Sequence, residues 1–295
     1  MASQKDLRQS IASVENTRKI TKAMEMVAAA RLRRSQQRIE QARPYAHWMM
    51  EFIAGLVRYA PTSGTGLPLL EPRMDTKRVA VLAFTADRGL CGAFNANVVR
   101  RTLELKRTYE AQDVEVDLHV VGRKGVSTFR FQGYHLVGVY TGITDRPRYL
   151  NAQTIADVLI RAYSVQDVDA VHLVYNRFKT AMEQNLIDEV ILPIQEEVVT
   201  KYASDVVAPH MEFIFEPGPG KILRDLLPTY VEMAVFSALL ESSASEHGAR
   251  MTAMRNASDS AIDMINSLNL AMNRARQASI TQEILEVVAG ADALA

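Results

Sequence analysis

The stretch MRNASDSAIDMINSLNLAMNRARQASITQEIL, residues Met254–Leu285, decides the fold. Met254, Ala257, Ala261, Met264, Leu268, Ala271, Ala275, Ala278, Gln282 and Leu285 alternate through it at spacings of three and four. A repeat of that period lays one side of an α-helix against a partner helix and winds the two into a left-handed supercoil. Alanine recurs at these positions, and small knobs let two backbones approach closely. The helical texture runs from about Thr229 to Ala289, about 90 Å at roughly 1.5 Å per residue. A segment of that length cannot bury itself in one small core, so it calls for an equally long partner.

The partner of matching length in the same chain is the N-terminal stretch, Ser3 to about Ala42. Leu7, Ile11 and Val14 follow one register, and Ile20, Met24 and Val27 follow a shifted one, with Arg18 interrupting the seam. AMEMVAAARLRR is built almost wholly of strong helix formers. Pro44 is expected to kink or restart this helix, with a second amphipathic stretch from about Tyr45 to Tyr59. Pro61–Pro68 is a loop by composition. At the other end, Pro228 either kinks the last helix or sets its start.

From Lys77 the pattern changes. Val79-Ala-Val-Leu-Ala-Phe84 is a short apolar run bounded by a glycine-containing loop, the signature of a buried parallel strand. A helix is predicted over about Asn95–Glu110, then strand Val116–Val121, a Gly122-Arg-Lys-Gly125 turn and a short helix near Val126–Phe131. Strand Leu136–Tyr140, helix Ala152–Tyr163 and strand Ala170–Phe178 follow, and Leu186–Ile194 has the makings of another strand. Alternating strands and helices imply an open, mostly parallel, Rossmann-like α/β sheet. The fold class is therefore α/β plus a long antiparallel coiled coil, with the N- and C-terminal helices pairing into a rod. The expected divisions are an N-terminal coiled-coil helix at 1–60, a central α/β domain at 76–195, a linker at 196–221 and a C-terminal coiled-coil helix at 222–295.

Composition narrows the function. The 295 residues carry 34 basic and 34 acidic side chains, so net charge favours neither nucleic acid nor a membrane surface. The first helix is nevertheless basic: Lys5, Arg8, Arg18, Lys19, Lys22, Arg31, Arg33, Arg34, Arg38 and Arg43 outnumber Asp6, Glu15, Glu25 and Glu40. Such an arm is either a solvated helix face or a surface that seeks an acidic partner. A single cysteine, Cys91, fits a reducing compartment and excludes an internal disulfide framework. No stretch approaches the roughly 20 apolar residues of a membrane span. The beginning of the chain is polar and reads as neither a signal peptide nor a transit leader.

Catalysis has no visible seat. Thr85–Asn95 follows the first strand, where doubly wound proteins place a ligand. It has neither G-x-G-x-x-G nor GxxxxGK[ST] spacing, so Gly89 and Gly92 are read as turn residues and Gly122–Gly125 as a strand-to-helix turn. His47, His119, His135, His172, His210 and His247 show no metal-ligand spacing with one another or with Cys91. Cys91 is read as an ordinary buried thiol. No cofactor and no metal are expected.

The end segments resemble the gamma subunit of rotary F-type ATP synthases. The resemblance lies in IASVENTRKITKAMEMVAAA (Ile11–Ala30) and in ARQASITQEILEVVAG (Ala275–Gly290), with Ile280, Thr281, Glu283, Gly290 and Ala291 forming the family's terminal signature. Asp87-Arg-Gly-Leu-Cys-Gly92 looks like its central loop. The resemblance implies a rotor shaft with no active site of its own. It would turn inside three alpha and three beta subunits, its foot on the epsilon subunit and the ring of c subunits, coupling proton or sodium flow to ATP synthesis or hydrolysis. It further implies that Met24 and the basic arm around Arg34 face acidic beta-subunit loops. Arg276, Gln277, Thr281 and Glu283 would touch the surrounding alpha/beta sleeve, and Phe213 and Glu216 would meet the c-ring and epsilon foot. The implied setting is peripheral, on the cytoplasmic face of a bacterial inner membrane. Two other readings stay open from the residues alone: a nucleotide-binding α/β enzyme oligomerised by its arms, and a homodimeric coiled-coil scaffold.

Overall fold

The computed structural model describes residues 4–59, 67–73, 75–194 and 216–292. Its contacts divide the chain into two compact units: Met1–Ala28 with Arg250–Ala295, and Ala29–Ala249. Helix α1 (Gln4–Tyr59) and the last helix, α5 (Pro219–Asp292), contribute to both.

The Ala29–Ala249 unit is built on a five-stranded sheet. Its strands are β1 (Arg78–Phe84), β2 (Glu115–Val121), β3 (Gly138–Tyr140), β4 (Ala170–Phe178) and β5 (Gln184–Leu192), in the spatial order β3-β2-β1-β4-β5. The first four run parallel, joined through α2 (Phe94–Glu110), α3 (Arg123–Phe131) and α4 (Tyr149–Ser164). β5 returns antiparallel to β4 through a turn at Lys179–Glu183. This is the predicted mostly parallel sheet, with the segment at 186–194 confirmed as an edge strand that starts two residues earlier.

β1 is continuous in hydrophobicity because both of its faces are covered. Val79, Val81 and Ala83 join Val98, Leu105, Val126 and Phe129 of α2 and α3. Ala80, Leu82 and Phe84 join Ile155 and Leu159 of α4, together with Ile53 and Leu56 of α1 and Leu223, Leu227 and Val231 of α5. Along α1 in this unit a buried stripe runs through Leu32, Ser35, Ile39, Met49, Ile53 and Leu56, set three or four apart except for Ile39 to Met49, where half-buried Ala42 and Ala46 fill the gap, and Met50 and Ala54 are buried beside it. Pro44 falls on the exposed side of that stripe, and α1 neither stops nor restarts there. A solvent-facing proline gives up one backbone hydrogen bond, but its neighbours' packing on the opposite face is untouched. Pro228 lies inside α5, whose start is Pro219, so it does not set the helix start. Proline is well suited to the first helical turn because its missing N–H is unpaired there in any case.

α5 is buried on all sides from Glu241 to His247. Two of the polar residues there find partners at the end of β4: Glu241 accepts from the Phe178 amide at 2.8 Å, and Ser245 Oγ donates to the Asn176 carbonyl at 2.9 Å, whereas the buried Ser243 hydroxyl has no partner among the described residues.

In the other unit the N-terminal part of α1 and the C-terminal part of α5 lie antiparallel, since Thr21 meets Ser258 while Glu25, further along α1, meets the earlier Arg255. The buried or half-buried face of α5 is Met254, Ser258, Ala261, Ile265, Leu268, Met272 and Ala275. The expected seam had Ala257, Met264 and Ala271 in the alternate positions. Ala257 is half-buried as expected, but Met264 is 54% exposed and Ala271 is exposed too, and the seam turns one residue toward Ser258, Ile265 and Met272. On α1 the face is Gln4, Leu7, Ile11, Val14, Thr21, Glu25 and Ala28, with Met24 half-buried at its side. The predicted register shift does not occur, and Ile20 and Val27, expected in the seam, are 60% and 54% exposed. From Thr21 to Glu25 the seam is held by polar residues that find partners, and the neighbouring Ile20 and Val27 turn outward. Beyond Ala275 every residue through Ala289 except Ser279 is exposed. Among the described residues the pairing therefore ends there, so Ala278, Gln282 and Leu285 have no described helix opposite them, contrary to the sequence reading.

The segment 196–215, most of the expected linker, lies outside the described residues. Among those described, no helix is long and apolar enough to cross a membrane.

Candidate partner-contact surfaces

The loop after β1 is where a ligand would enter this kind of sheet, and it is filled by its own side chains. Asp87 Oδ1 accepts from the amides of Gly142 at 2.9 Å and Arg123 at 3.1 Å. Its Oδ2 accepts from Thr144, through the hydroxyl at 3.1 Å and the amide at 3.3 Å. The carboxylate thus lies at the N-terminus of α3, a position that attracts anions because backbone N–H groups converge there. Burial pushes the Asp87 carboxyl up, and the hydrogen bonds from Gly142, Thr144 and Arg123 outweigh it, leaving the group below its usual range. Thr85 Oγ1 donates to the Val121 carbonyl at 2.6 Å and accepts from the Gly125 amide at 2.9 Å. A Cβ on Gly122 would lie 2.2 Å from the Thr85 carbonyl oxygen, and one on Gly125 2.5 Å from Thr85 Oγ1. The Gly122–Gly125 turn is thus tied down by close approach of backbone, as expected of a strand-to-helix turn. Cys91 is buried beside Asn95, whose Nδ2 lies 3.2 Å from the sulfur.

One cluster has the look of a catalytic relay. His172 Nε2 is 2.7 Å from the Tyr109 hydroxyl, and its Nδ1 is 3.1 Å from Asp188, which also takes Arg101 at 3.1 Å. Burial pushes the Tyr109 hydroxyl up, away from the phenolate a nucleophile would need. The cluster ties α2 to β4 and β5. His119 is buried against Tyr140 with ring planes 13° apart, and burial holds its pKa below the ordinary histidine value. Among the described residues no group of His, Cys, Asp and Glu has the arrangement of a metal site.

The residues expected at partner surfaces divide by unit. Met24 is half-buried beside the seam, one residue before Glu25. Glu25 is buried and accepts from Lys22 Nζ at 3.0 Å and Arg255 Nε at 3.1 Å. Arg276, Gln277, Thr281 and Glu283 are all exposed on the unpaired end of α5. Their bonds there are local: Thr281 Oγ1 donates to the Gln277 carbonyl and Ser279 Oγ to Glu283. Arg34, in the Ala29–Ala249 unit, is exposed, as is Glu216 just ahead of α5. Phe213 lies outside the described residues.

A model of the ATP synthase family matches residues 3–294. The ATP synthase gamma chain of Rubrobacter xylanophilus is 44% identical over 295 residues, covering 100% of this chain and 99% of that one. The chain belongs to the ATP synthase gamma-chain family. The gamma chain of Pelotomaculum thermopropionicum is likewise 44% identical, over the full length of both. Among solved structures, a central-stalk chain of the Tetrahymena thermophila mitochondrial ATP synthase matches with a TM-score of 0.59 at 28% identity, covering 81% of this chain and 99% of that one. A chain of the Euglena gracilis mitochondrial ATP synthase shares the fold, with a TM-score of 0.67 at 19% identity over 99% of this chain and 94% of that one.

For a gamma chain, the outward apolar stripe is what sequence reading did not assemble, although it named Ile280 in the terminal signature and Leu285 in the expected seam. Ile280, Ile284, Val287 and Val288 stand at spacings of four, three and one on the unpaired end of α5, with Leu285 beside them, and all are exposed. The signal was present in their helical spacing, but the same spacing also describes a core-facing stripe. Only the end of the helix pairing at Ala275 shows that nothing within the described chain covers them.

Proposed function

We propose that this chain is the central rotor shaft of an F-type ATP synthase, coupling ion flow through a membrane c ring to ATP synthesis or hydrolysis in a hexamer of three alpha and three beta subunits. The observation that carries the reading is the unpaired end of α5, exposed on nearly every side from Arg276 to Val288 with an apolar stripe along it. A large side chain such as Ile or Leu contributes about 1.5–3 kcal/mol when fully buried. Five exposed ones on a single helix therefore favour insertion into an apolar collar, and the alpha/beta sleeve provides one. Arg276, Gln277, Thr281 and Glu283 flank the stripe and add polar contacts at the sleeve.

The chain's part is mechanical. A ligand shifts an equilibrium only by its differential affinity for the two states, and the same holds for a shaft. Its faces must differ so that each beta subunit is held in a different nucleotide-binding conformation, and rotation then exchanges the three. The faces here do differ: outward Ile20 and Val27 lie on one side of α1, while the basic residues continue along the helix to Arg34. Met24 and Arg34 serve as contacts to acidic beta-subunit loops, and Glu216 and Phe213 as contacts to the c ring and the epsilon subunit. The complex holds the chain peripherally at the cytoplasmic face of a bacterial membrane. The self-filled loop around Asp87 supports a shaft over a nucleotide-binding enzyme.

The test is assembly. Mixed with alpha and beta subunits of a bacterial relative, the chain should co-purify as one copy with six larger subunits, and a bead attached to it should rotate in one direction during ATP hydrolysis. A stable homodimer that leaves the hexamer alone would remove the proposal.

A further inference from the structure

Within the Ala29–Ala249 unit, the loop between β3 and α4 is held from two sides. On the sheet side the Asp87 carboxylate takes the Gly142 and Thr144 amides, and Thr144 Oγ1 accepts from the Asp87 amide at 3.1 Å. Thr144 itself is buried. The next residue, Asp145, turns to the long helices. Its Oδ1 pairs with Arg31 of α1, and His247 Nε2 of α5 lies 3.9 Å from the same oxygen. That separation is too long for a hydrogen bond, but it makes an ion pair whenever the imidazole is protonated. His247 is 1% exposed, so α5 presents it to the loop and not to solvent.

The place of this contact gives it its use. α1 joins the apolar core on the sheet from Ala46 onward, and α5 from Ile222 to Leu239. Arg31 precedes Ala46 by about four helical turns, roughly 22 Å, and His247 follows Leu239 by about two. Apolar contact is non-directional; it holds the helices against the sheet without fixing how far they twist on it. A charge-assisted contact has a preferred direction and length. Acting far from the core, it works on a long arm, so a modest restoring force checks twist. The Arg31 and Asp145 side chains are 34% and 40% exposed, and a pair so placed adds little to stability. Its effect belongs to the motion of the unit, not to its melting.

We propose that Asp145 is a positioning residue for rotary coupling: by holding Arg31 and facing His247 it grips both long helices from the α/β domain and sets how stiffly they turn together. Its use in coupling rests on the rotor reading, whereas the grip is a property of this unit of the chain.

Spin labels on the full-length chain test the grip, one at Gln37→Cys on α1 and one at Phe131→Cys at the end of α3, both exposed positions; the native Cys91 is buried. The distribution of distances between the labels should be at least 1.5-fold wider in Asp145→Ala and in Arg31→Gln, with melting unchanged. The two changes together should widen it no further than either alone, and Asp145→Glu should bring it back near the parent. Glu110→Gln, which breaks an ion pair with Lys106 on α2, should leave it unaltered. In a complex with the alpha/beta hexamer of a bacterial relative, a bead on Phe131→Cys should show a wider angular spread during pauses in the same two variants, while unloaded ATP hydrolysis holds its rate. A width indifferent to Asp145→Ala or to Arg31→Gln, or one that grows as much in Glu110→Gln, would overturn the grip. Wider label distances with an unchanged angular spread in the rotating complex would overturn its part in coupling. A parent chain that never rotates would instead remove the rotor reading, and the grip would still stand or fall on the label widths.

Discussion

Thr21 and Ser258 meet hydroxyl to hydroxyl at 2.7 Å across the antiparallel helices, both buried, in a seam where aliphatic side chains are expected. With one proton each, the hydroxyl that accepts across the seam is the one free to donate back to its own helix, Thr21 to the Arg18 carbonyl or Ser258 to that of Met254, each at 3.0 Å. One turn along, Glu25 takes Arg255 and Lys22. The seam is thus pinned by polar pairs that fix which residue faces which. Polar groups at such positions set register at some expense of stability. A shaft that transmits torque depends on its two strands not slipping.

The first prediction follows from that pair. Thr21→Val leaves the Ser258 hydroxyl without its cross-helix partner, and Ser258→Ala does the same to Thr21. Each should destabilise the helix pair by about 1 kcal/mol. The double variant should cost less than the sum, by about 0.5–1 kcal/mol of coupling. Native-state hydrogen exchange at the amides of residues 21–28 reads this; simple additivity would show that the two hydroxyls do not depend on each other.

A second concerns acid stability. The Asp87 carboxyl is held below its ordinary range in the folded protein. Its contribution is therefore fully present above the unfolded value of about 3.9 and is lost as pH falls through the lower folded value. Asp87→Asn replaces an acceptor of three backbone amides and a hydroxyl with a group that is half donor. The variant should lose about 2 kcal/mol at pH 7 and show a shallower loss between pH 4 and 2 than the parent. Denaturant titrations across that range check it, and equal acid slopes would remove Asp87 as the source.

The third is steric. Gly122 has φ +93° and no room for a methyl group beside the Thr85 carbonyl. Gly122→Ala should destabilise the sheet unit by about 2–4 kcal/mol through strain and clash together, read as a fall in the melting temperature. An unchanged melting temperature would mean the β1 and β2 ends move apart freely.

How much of this was open to reading from sequence depended on whether a residue's partner was near in the chain. Val79–Phe84 could be read as a buried strand because burial on both faces is written in the run itself. The α1 register could not. Thr21 and Glu25 belong to the seam only because Ser258 and Arg255 sit opposite, more than 200 residues away. Ile20 and Val27 belong outside it for the same reason. Following hydrophobicity alone therefore placed Leu7, Ile11 and Val14 correctly and lost the seam only beyond Arg18, at Ile20 and Val27. The Asp87 site was missed likewise: its partners, Arg123 at the start of α3 and Gly142 and Thr144 after β3, are brought together only by the parallel sheet. Arg276, Gln277, Thr281 and Glu283 were placed by resemblance and do emerge exposed, while the apolar stripe among them was hidden by its likeness to a core pattern.

The last prediction separates the two roles of α5. Residues up to Ala275 pair with α1, and residues beyond it face outward, so a change beyond that point should leave the chain's own folding alone. Ile284→Asp with Val288→Asp places two charges on the outward stripe at little intramolecular cost, because both positions are exposed helix where aspartate costs only a few tenths of a kcal/mol each. Exchange protection at residues 21–28 should match the parent. Assembly should not, because burying an unpaired carboxylate in an apolar collar costs several kcal/mol. The doubly substituted chain should associate with an alpha/beta hexamer at least a hundredfold more weakly, measured by displacement of the labelled parent. Truncation after Ala275 should weaken assembly less than the two aspartates do, since it removes favourable contacts without inserting charge. If the aspartates were harmless and the truncation severe, the polar residues Arg276 to Glu283, and not the stripe, would hold the shaft in its sleeve.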